Sequence, residues 1–201
     1  MKHLLTTILV LGLLASAGGV EAANLITTNS GFETFTGTQD DGITDAFTGY
    51  SVVTNGAGKV EATATVHSGL SAVKLTTGTT GGVSGTIIYQ GATLTAGTRY
   101  KFSFWTRGDG TTGGSYYFHA SDQDIHTGST GITGTTYTKK EIIFTSTVTG
   151  SYDFALYAGA TAGDVAYFDD ISIRLASEGG NTGRLTNRVT SRTLSRVGNR
   201  N

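Results

Sequence analysis

The chain has 201 residues, with 14 Lys and Arg against 15 Asp and Glu, 30 Gly, no Cys and no Pro. Without Cys, thiol catalysis, thiolate metal sites and disulfide staples are excluded; without Pro, the turns fall to Gly, Asn, Asp, Ser and Thr. The near-neutral total hides a split, because Ala23 to Leu175 carries eight basic and thirteen acidic residues while Ala176 to Asn201 carries five Arg and one Glu. The mildly acidic body argues against nucleic acid as a partner, and the basic end is a separate object.

The first 22 residues read as a signal peptide. Met1-Lys2-His3 gives a short basic start, Leu4 to Leu14 is apolar apart from Thr6, Thr7 and Gly12, and Val20-Glu21-Ala22 fits a small-x-small cleavage site. Ala15-Ser16-Ala17 is a second candidate site. The run is short for a bilayer span, and no other segment is apolar enough to cross a membrane. The expected location is secreted or extracellular, with the periplasm or a cell surface as variants. About 150 residues then remain, enough to bury a core without disulfides.

Asn29-Ser30-Gly31-Phe32-Glu33 comes early, and Tyr167-Phe168-Asp169-Asp170-Ile171-Ser172-Ile173 comes late. Each joins aromatic residues to acidic ones. A fold that brings its first and last strands together would put Glu33 and Asp169 within reach of one hard cation. Asp40, Asp41 and Asp45 form another acidic cluster, read as a solvated loop.

Between these segments lie short alternating runs: Val60 to Val66, Ser71 to Thr76, Thr86 to Gln90, Arg99 to Arg107, Ser115 to Ala120, Lys139 to Thr145, Tyr152 to Ala158 and Val165 to Leu175. No window has sustained helical periodicity with caps. Eight or nine short strands in one domain predict an all-β sandwich or barrel. In Arg99 to Arg107, Tyr100, Phe102 and Phe104 share one face, and Lys101, Ser103, Trp105 and Arg107 the other. In the last run Val165, Tyr167, Asp169, Ile171 and Ile173 share a parity. That parity predicts a core face with Asp169 turned inward, where a carboxylate needs a cation or several donors, and leaves Asp170 solvated.

Gly179 to Gly183 reads as a linker, followed by Arg184, Arg188, Arg192, Arg196 and Arg200 at a spacing of four. The intervening Thr, Val, Ser and Asn disfavour a helix. Residues 176–201 therefore read as a flexible solubilising tail, or as an electrostatic tether to an anionic polymer.

Five segments in order carry a resemblance. They are Asn24-Leu-Ile with Asn29-Ser-Gly-Phe-Glu33; Thr48-Gly-Tyr-Ser-Val52; Val66-His-Ser-Gly-Leu-Ser-Ala-Val-Lys-Leu75; Tyr89-Gln90 with Leu94-Thr-Ala-Gly-Thr-Arg-Tyr-Lys-Phe-Ser-Phe-Trp-Thr-Arg-Gly108; and Ala166-Tyr-Phe-Asp-Asp-Ile-Ser-Ile173. Together, over residues 23–175, they resemble carbohydrate-binding modules of the CenC type, families 4 and 9, within the galactose-binding-like jelly rolls. The resemblance implies a two-sheet jelly-roll β-sandwich with one structural calcium ion. It maps that ion's carboxylates onto Glu33 and Asp169, with backbone oxygen from the turn at Ser68. Two departures are visible: Tyr50 stands where the family usually has Trp, and the segment after Gly114 is less alike.

Sugar binding needs flat aromatic faces beside planar polar groups. Trp105, opposite its strand's core face and beside Arg107, is the best candidate; Tyr157, Tyr117 and Tyr89 are further ones. His119, Asp122, Asp124 and His126 lack the spacing of a catalytic or metal motif and read as loop. No pair of carboxylates suited to glycoside hydrolysis can be nominated. The expected function is a secreted, non-catalytic, calcium-stabilised module that binds a polysaccharide through a sheet face. The alternative is a structural or adhesion module of a cell surface or virion.

Overall fold

The computed structural model describes residues 22–54, 56–79, 86–111, 115–120, 123–129, 132–147, 149–159 and 161–176. Residues 1–21 of the expected signal peptide, the expected tail beyond residue 176, and the side chains of 86–90, 115–120 and 123–129 lie outside that description. Among the described residues there are twelve strands and no helix.

The strands are β1 (Phe35–Thr36), β2 (Ala46–Phe47), β3 (Tyr50–Val53), β4 (Lys59–Thr63), β5 (Ala72–Thr76) and β6 (Thr86–Leu94), then β7 (Arg99–Gly108), β8 (Ser115–Ala120), β9 (Gln123–Ser129), β10 (Thr138–Thr145), β11 (Gly150–Tyr157) and β12 (Val165–Leu175). β1 and β2 form a small ribbon. One five-stranded sheet runs β10-β7-β12-β5-β4 and the other β3-β6-β11-β8-β9, every pairing antiparallel. The chain is a jelly-roll β-sandwich.

The inner faces come from period-two alternation. Tyr100, Phe102 and Phe104 of β7 and Val73 and Leu75 of β5 are buried against Tyr152, Phe154 and Leu156 of β11. Phe102 is the bridge: its ring centroid is 5.2 Å from Phe104 in its own sheet and 5.2 Å from Phe154 in the other. Such aromatic pairs add to the burial of their area.

Three expectations are corrected. First, the parity of β12 changes midway. Ala166 and Phe168 are buried, Val165 and Tyr167 face outward, and Ile171 and Ile173 are buried again. The register against β7 shifts between Asp169 and Ser172, and Asp170 sits at φ 47°. A bulge inserts a residue and so swaps the faces on either side. Second, Gln123–Ser129 is a strand paired with β8, not a loop. Third, Asp45 is only 3% exposed. Its Oδ2 accepts the Ala62 N–H at 2.7 Å, and its own N–H donates to Val60 O at 2.8 Å. The acidic loop thereby covers the edge of β4, which would otherwise expose unpaired backbone groups. Burial raises the Asp45 pKa, with the hydrogen bond from Ala62 opposing the rise.

The N-terminal segment closes on the last strand. Leu25 N–H donates to Ile173 O at 2.8 Å. The Asn24 amide donates to Ile171 O at 3.2 Å, and its Oδ1 accepts the Ile173 N–H at 3.0 Å. Phe104, 0% exposed and 5.7 Å from the Phe168 ring, sits where β7 and β12 pair. Phe104→Ala should therefore destabilise by about 3–5 kcal/mol, read from urea unfolding of parent and variant; a loss below about 1 kcal/mol would mean that this core is not packed as described.

Candidate cation site and outer-face groove

Asp169 is 0% exposed. Its Oδ2 accepts the N–H groups of His67 at 2.8 Å and Ser68 at 3.1 Å, and its Oδ1 accepts that of Asp170 at 2.8 Å. Burial nevertheless dominates and pushes its pKa up to about 6, with the hydrogen bonds from Ser68 and His67 opposing the rise. Glu33 reaches the same turn: both its carboxylate oxygens lie 3.1 Å from the Leu70 N–H. The expected pair therefore does converge, on the backbone of residues 67–70.

Asp170 is not simply solvated. Ser68 Oγ–H lies 2.8 Å from both its oxygens, and His67 Nδ1 lies 2.6 Å from Oδ2. The surrounding backbone is unusual. Asn29 (φ 51°), Phe32 (φ 58°) and Asp170 (φ 47°) are three non-glycine residues in the left-handed region. Such conformations are disfavoured and persist where their surroundings fix them. Here the Asn29 side chain holds Thr34 through both backbone groups, and Ile171 N–H donates to Ser30 O. Gly69 is required by space as well as by its φ of 68°, since a Cβ there would lie 1.7 Å from Glu33 Oε1. Among the described residues no three His, Cys, Asp or Glu side chains are grouped to hold a metal by themselves.

Above this turn, on the outer face of the β10-β7-β12-β5-β4 sheet, aromatic and charged groups interleave. The His67 imidazole stacks on the Trp105 indole, centroids 3.6 Å apart and planes 13° off parallel. Register aligns Lys74, Tyr167 and Arg107 across three strands. The Arg107 guanidinium lies 5.0 Å from the Tyr167 ring and 6.0 Å from that of Tyr137, within cation–π range. The Tyr137 hydroxyl donates to Thr65 O at 2.8 Å, and burial raises its pKa.

Beside this packed half lies an open groove of about 220 Å³. Its floor is set by register. Ser172 pairs with Ser103, their hydroxyls 2.8 Å apart, so the floor is low. One row along stands Trp105, paired with Lys139; the row on the other side holds Arg174 opposite Lys101. Asn24, Ser30 and Asp170 complete the rim.

The expected sugar-binding residues divide between the two sheets. Trp105 and Arg107 share an outer face, as their parity predicts, but His67 covers one face of Trp105, and Arg107 is held between two tyrosines. Tyr157 is half-buried on β11 of the other sheet. The register pairs Tyr117 with Ala155, and Tyr89 with the core residue Phe154; the side chains of Tyr89, Tyr117, His119, Asp124 and His126, and Asp122 altogether, lie outside the described residues. Sequence reasoning missed Tyr137, Tyr167, Lys139 and Arg174. Alternation could have found Lys139 and Arg174; Tyr167 was hidden by the bulge, and Tyr137 precedes its strand.

The fold is shared with solved carbohydrate-binding modules. A CBM61 module in complex with β-1,4-galactotriose matches with a TM-score of 0.53 and 20% identity, over 77% of this chain and 100% of that one. A CBM4 structure gives 0.55 at 12% identity, over 74% and 99%. The CBM22-1 xylan-binding domain of Xyn10C from Paenibacillus barcinonensis gives 0.51 at 14%, over 78% and 98%. No family model and no curated protein matches the sequence. At these identities the likeness establishes the fold.

Gly69→Ala should destabilise by about 1–3 kcal/mol, because the new methyl group must displace Glu33 as well as adopt a left-handed φ. Gly97→Ala is the comparison, since Gly97 has φ 74° with nothing within 4 Å of a new Cβ. Denaturant unfolding should show the larger loss for Gly69→Ala; equal losses would mean that Glu33 is not held against the turn.

Proposed function

We propose that the chain is a secreted, non-catalytic carbohydrate-binding module, stabilised by calcium, that binds a polysaccharide on the outer face bearing Trp105. The observation that carries the reading is the groove at the edge of Trp105. It joins an indole to an amide, hydroxyls and long cationic side chains, the chemistry by which sugars are held. The likeness to binding modules along nearly their whole length supports it.

The residues at the 67–70 turn fit a hard cation. Asp169 is buried with its charge unmatched by any Lys or Arg ion pair among the described residues, and Glu33 aims oxygen at the same turn. In this reading Glu33 and Asp169 hold calcium, and backbone carbonyl oxygen at Ser68 adds to the set. The ion would act as a structural cross-link. It would neutralise the buried carboxylate and fasten the turn to β12.

Chelation should lower the melting temperature of metal-loaded protein. It should also expose the titration of Asp169. Its folded pKa of about 6 lies above the ordinary 3.8, so between those values the folded state binds the proton that the unfolded state has released. The chelated protein should accordingly lose stability as pH rises through that window, and calcium should remove that loss. A melting temperature indifferent to chelator, with no metal found by elemental analysis, would refute the calcium reading.

A glycan array with parent protein and Trp105→Ala tests the ligand. Polysaccharide binding by the parent, weakened about tenfold in the variant, is expected if stacking on Trp105 contributes about 1.4 kcal/mol. An array with no binding at all would favour a structural or adhesion module, a reading to which the His67 ring lying over Trp105 also lends support.

A further inference from the structure

We propose that His67 is a positioning residue for the sugar-binding face: stacked on one side of Trp105, it fixes the indole as a wall of the groove before any sugar arrives. This rests on the glycan-binding reading and names the residue that sets its platform. Trp105 is the single Trp of the chain. Among the described residues His67 is the one ring stacked on it, and the indole N–H has no acceptor there. On the groove side its neighbours are Ser103 and Ser172, whose hydroxyls bond each other and are too short to hold a large ring. Trp105 lines the groove and His67 does not. The groove therefore meets the part of the indole that His67 leaves open.

His67 is itself held on several sides. Its backbone N–H donates to Asp169 Oδ2 at 2.8 Å, and its Nδ1 lies 2.6 Å from Asp170 Oδ2. The Tyr137 ring meets it edge-on, centroids 5.9 Å apart and planes at 67°. Tyr137 is anchored in turn, by its hydroxyl on Thr65 O at 2.8 Å and by the Arg107 guanidinium 6.0 Å from its ring. The imidazole thus passes the rigidity of the packed half of the face to the indole at the edge of the open half. An indole free to turn must be immobilised when a sugar stacks on it, which weakens binding by about three- to tenfold. An imidazole already stacked on its other side removes most of that loss.

The test uses the full chain. Affinity electrophoresis is run on gels containing galactan, xylan, β-glucan or polygalacturonate, with the parent, Trp105→Ala, His67→Ala, His67→Phe and Tyr137→Leu. His67→Phe keeps a flat ring but loses the Asp170 contact, so it separates stacking from the fastening of the turn. On the polymer that retards the parent, His67→Ala should weaken retention about three- to tenfold. Tyr137→Leu should weaken it less, and His67→Phe should keep most of it. Acrylamide quenching of the single Trp gives an independent readout. With one of the two indole faces uncovered, the quenching constant of His67→Ala should rise about twofold, while that of His67→Phe stays near the parent's.

Melting curves check that the variants fold. Tyr137→Leu, outside the 67–70 turn, stands in if His67→Ala does not fold, and unaltered retention there would then overturn the proposal. Retention of folded His67→Ala equal to the parent's would overturn it, and stronger retention would make the imidazole an obstacle to the sugar instead of a support. Equal losses in His67→Ala and His67→Phe would overturn it as well, assigning the effect to the Asp170 contact. So would an unchanged quenching constant in His67→Ala. In each of these cases the glycan-binding reading stands. Retention of the parent on none of the four polymers, or retention undiminished in Trp105→Ala, would overturn both.

Discussion

The carboxylate of Asp169 is out of contact with water, yet it takes N–H groups from a turn 102 and 101 positions earlier in the chain. A buried carboxylate is stable only if its donors are fixed. That requirement propagates. The turn at 67–70 must be held against β12, and it is, through Glu33 on Leu70 and through Asp170 on Ser68 and His67. The N-terminal segment must lie where it can deliver Glu33, and Asn24 and Leu25 tie it to Ile171 and Ile173 for that purpose. The bulge at Asp169–Asp170 serves the same end, because a regular strand would send adjacent carboxylates to opposite faces, whereas both reach the turn.

The bulge also shapes the outer face. By exchanging parity it sends Tyr167 outward on one side and Ser172 and Arg174 outward on the other. On the Tyr167 side the surface is closed by aromatic rings and by Arg107 between them. The Ser172 side stays low, because Ser103 is its partner. Closed and open halves meet at Trp105, which belongs to both. His67 over the indole is held by Asp170, so the residue beside the buried carboxylate also decides how much of Trp105 is covered.

Much of this was legible in the sequence, for reasons that can be named. Alternation in Arg99 to Arg107 placed Phe102 and Phe104 inward and Trp105 outward, because a buried sheet face enforces period two. The apolar neighbours of Asp169 showed that a carboxylate would be drawn into the core. What alternation does not report is a change of phase, so Val165 and Tyr167 were assigned to the wrong face. Nor does it say which sheet a strand joins: Tyr157 and Trp105 both lie opposite core residues, yet on different sheets. Gln123–Ser129 is polar and glycine-containing, and pairing with β8 makes it a strand where propensity does not. Asp45 looked like a loop carboxylate because nothing local shows that it caps the backbone of a strand edge.

The shared residues bind the two functional readings into one physical system. Asp170 and Ser30 line the groove, and both are positioned by the segment and turn that the cation would fasten. A cation that rigidifies the turn would leave less ordering to be done when a sugar enters the groove. Two sites linked in this way influence each other reciprocally, since any free energy the ion contributes to sugar binding is returned by the sugar to ion binding. The groove's rim and the carboxylate cluster behind it are thus two faces of one constraint. The buried charge of Asp169 demands a rigid support, and through Asp170 and Ser30 that support also forms part of the groove's rim.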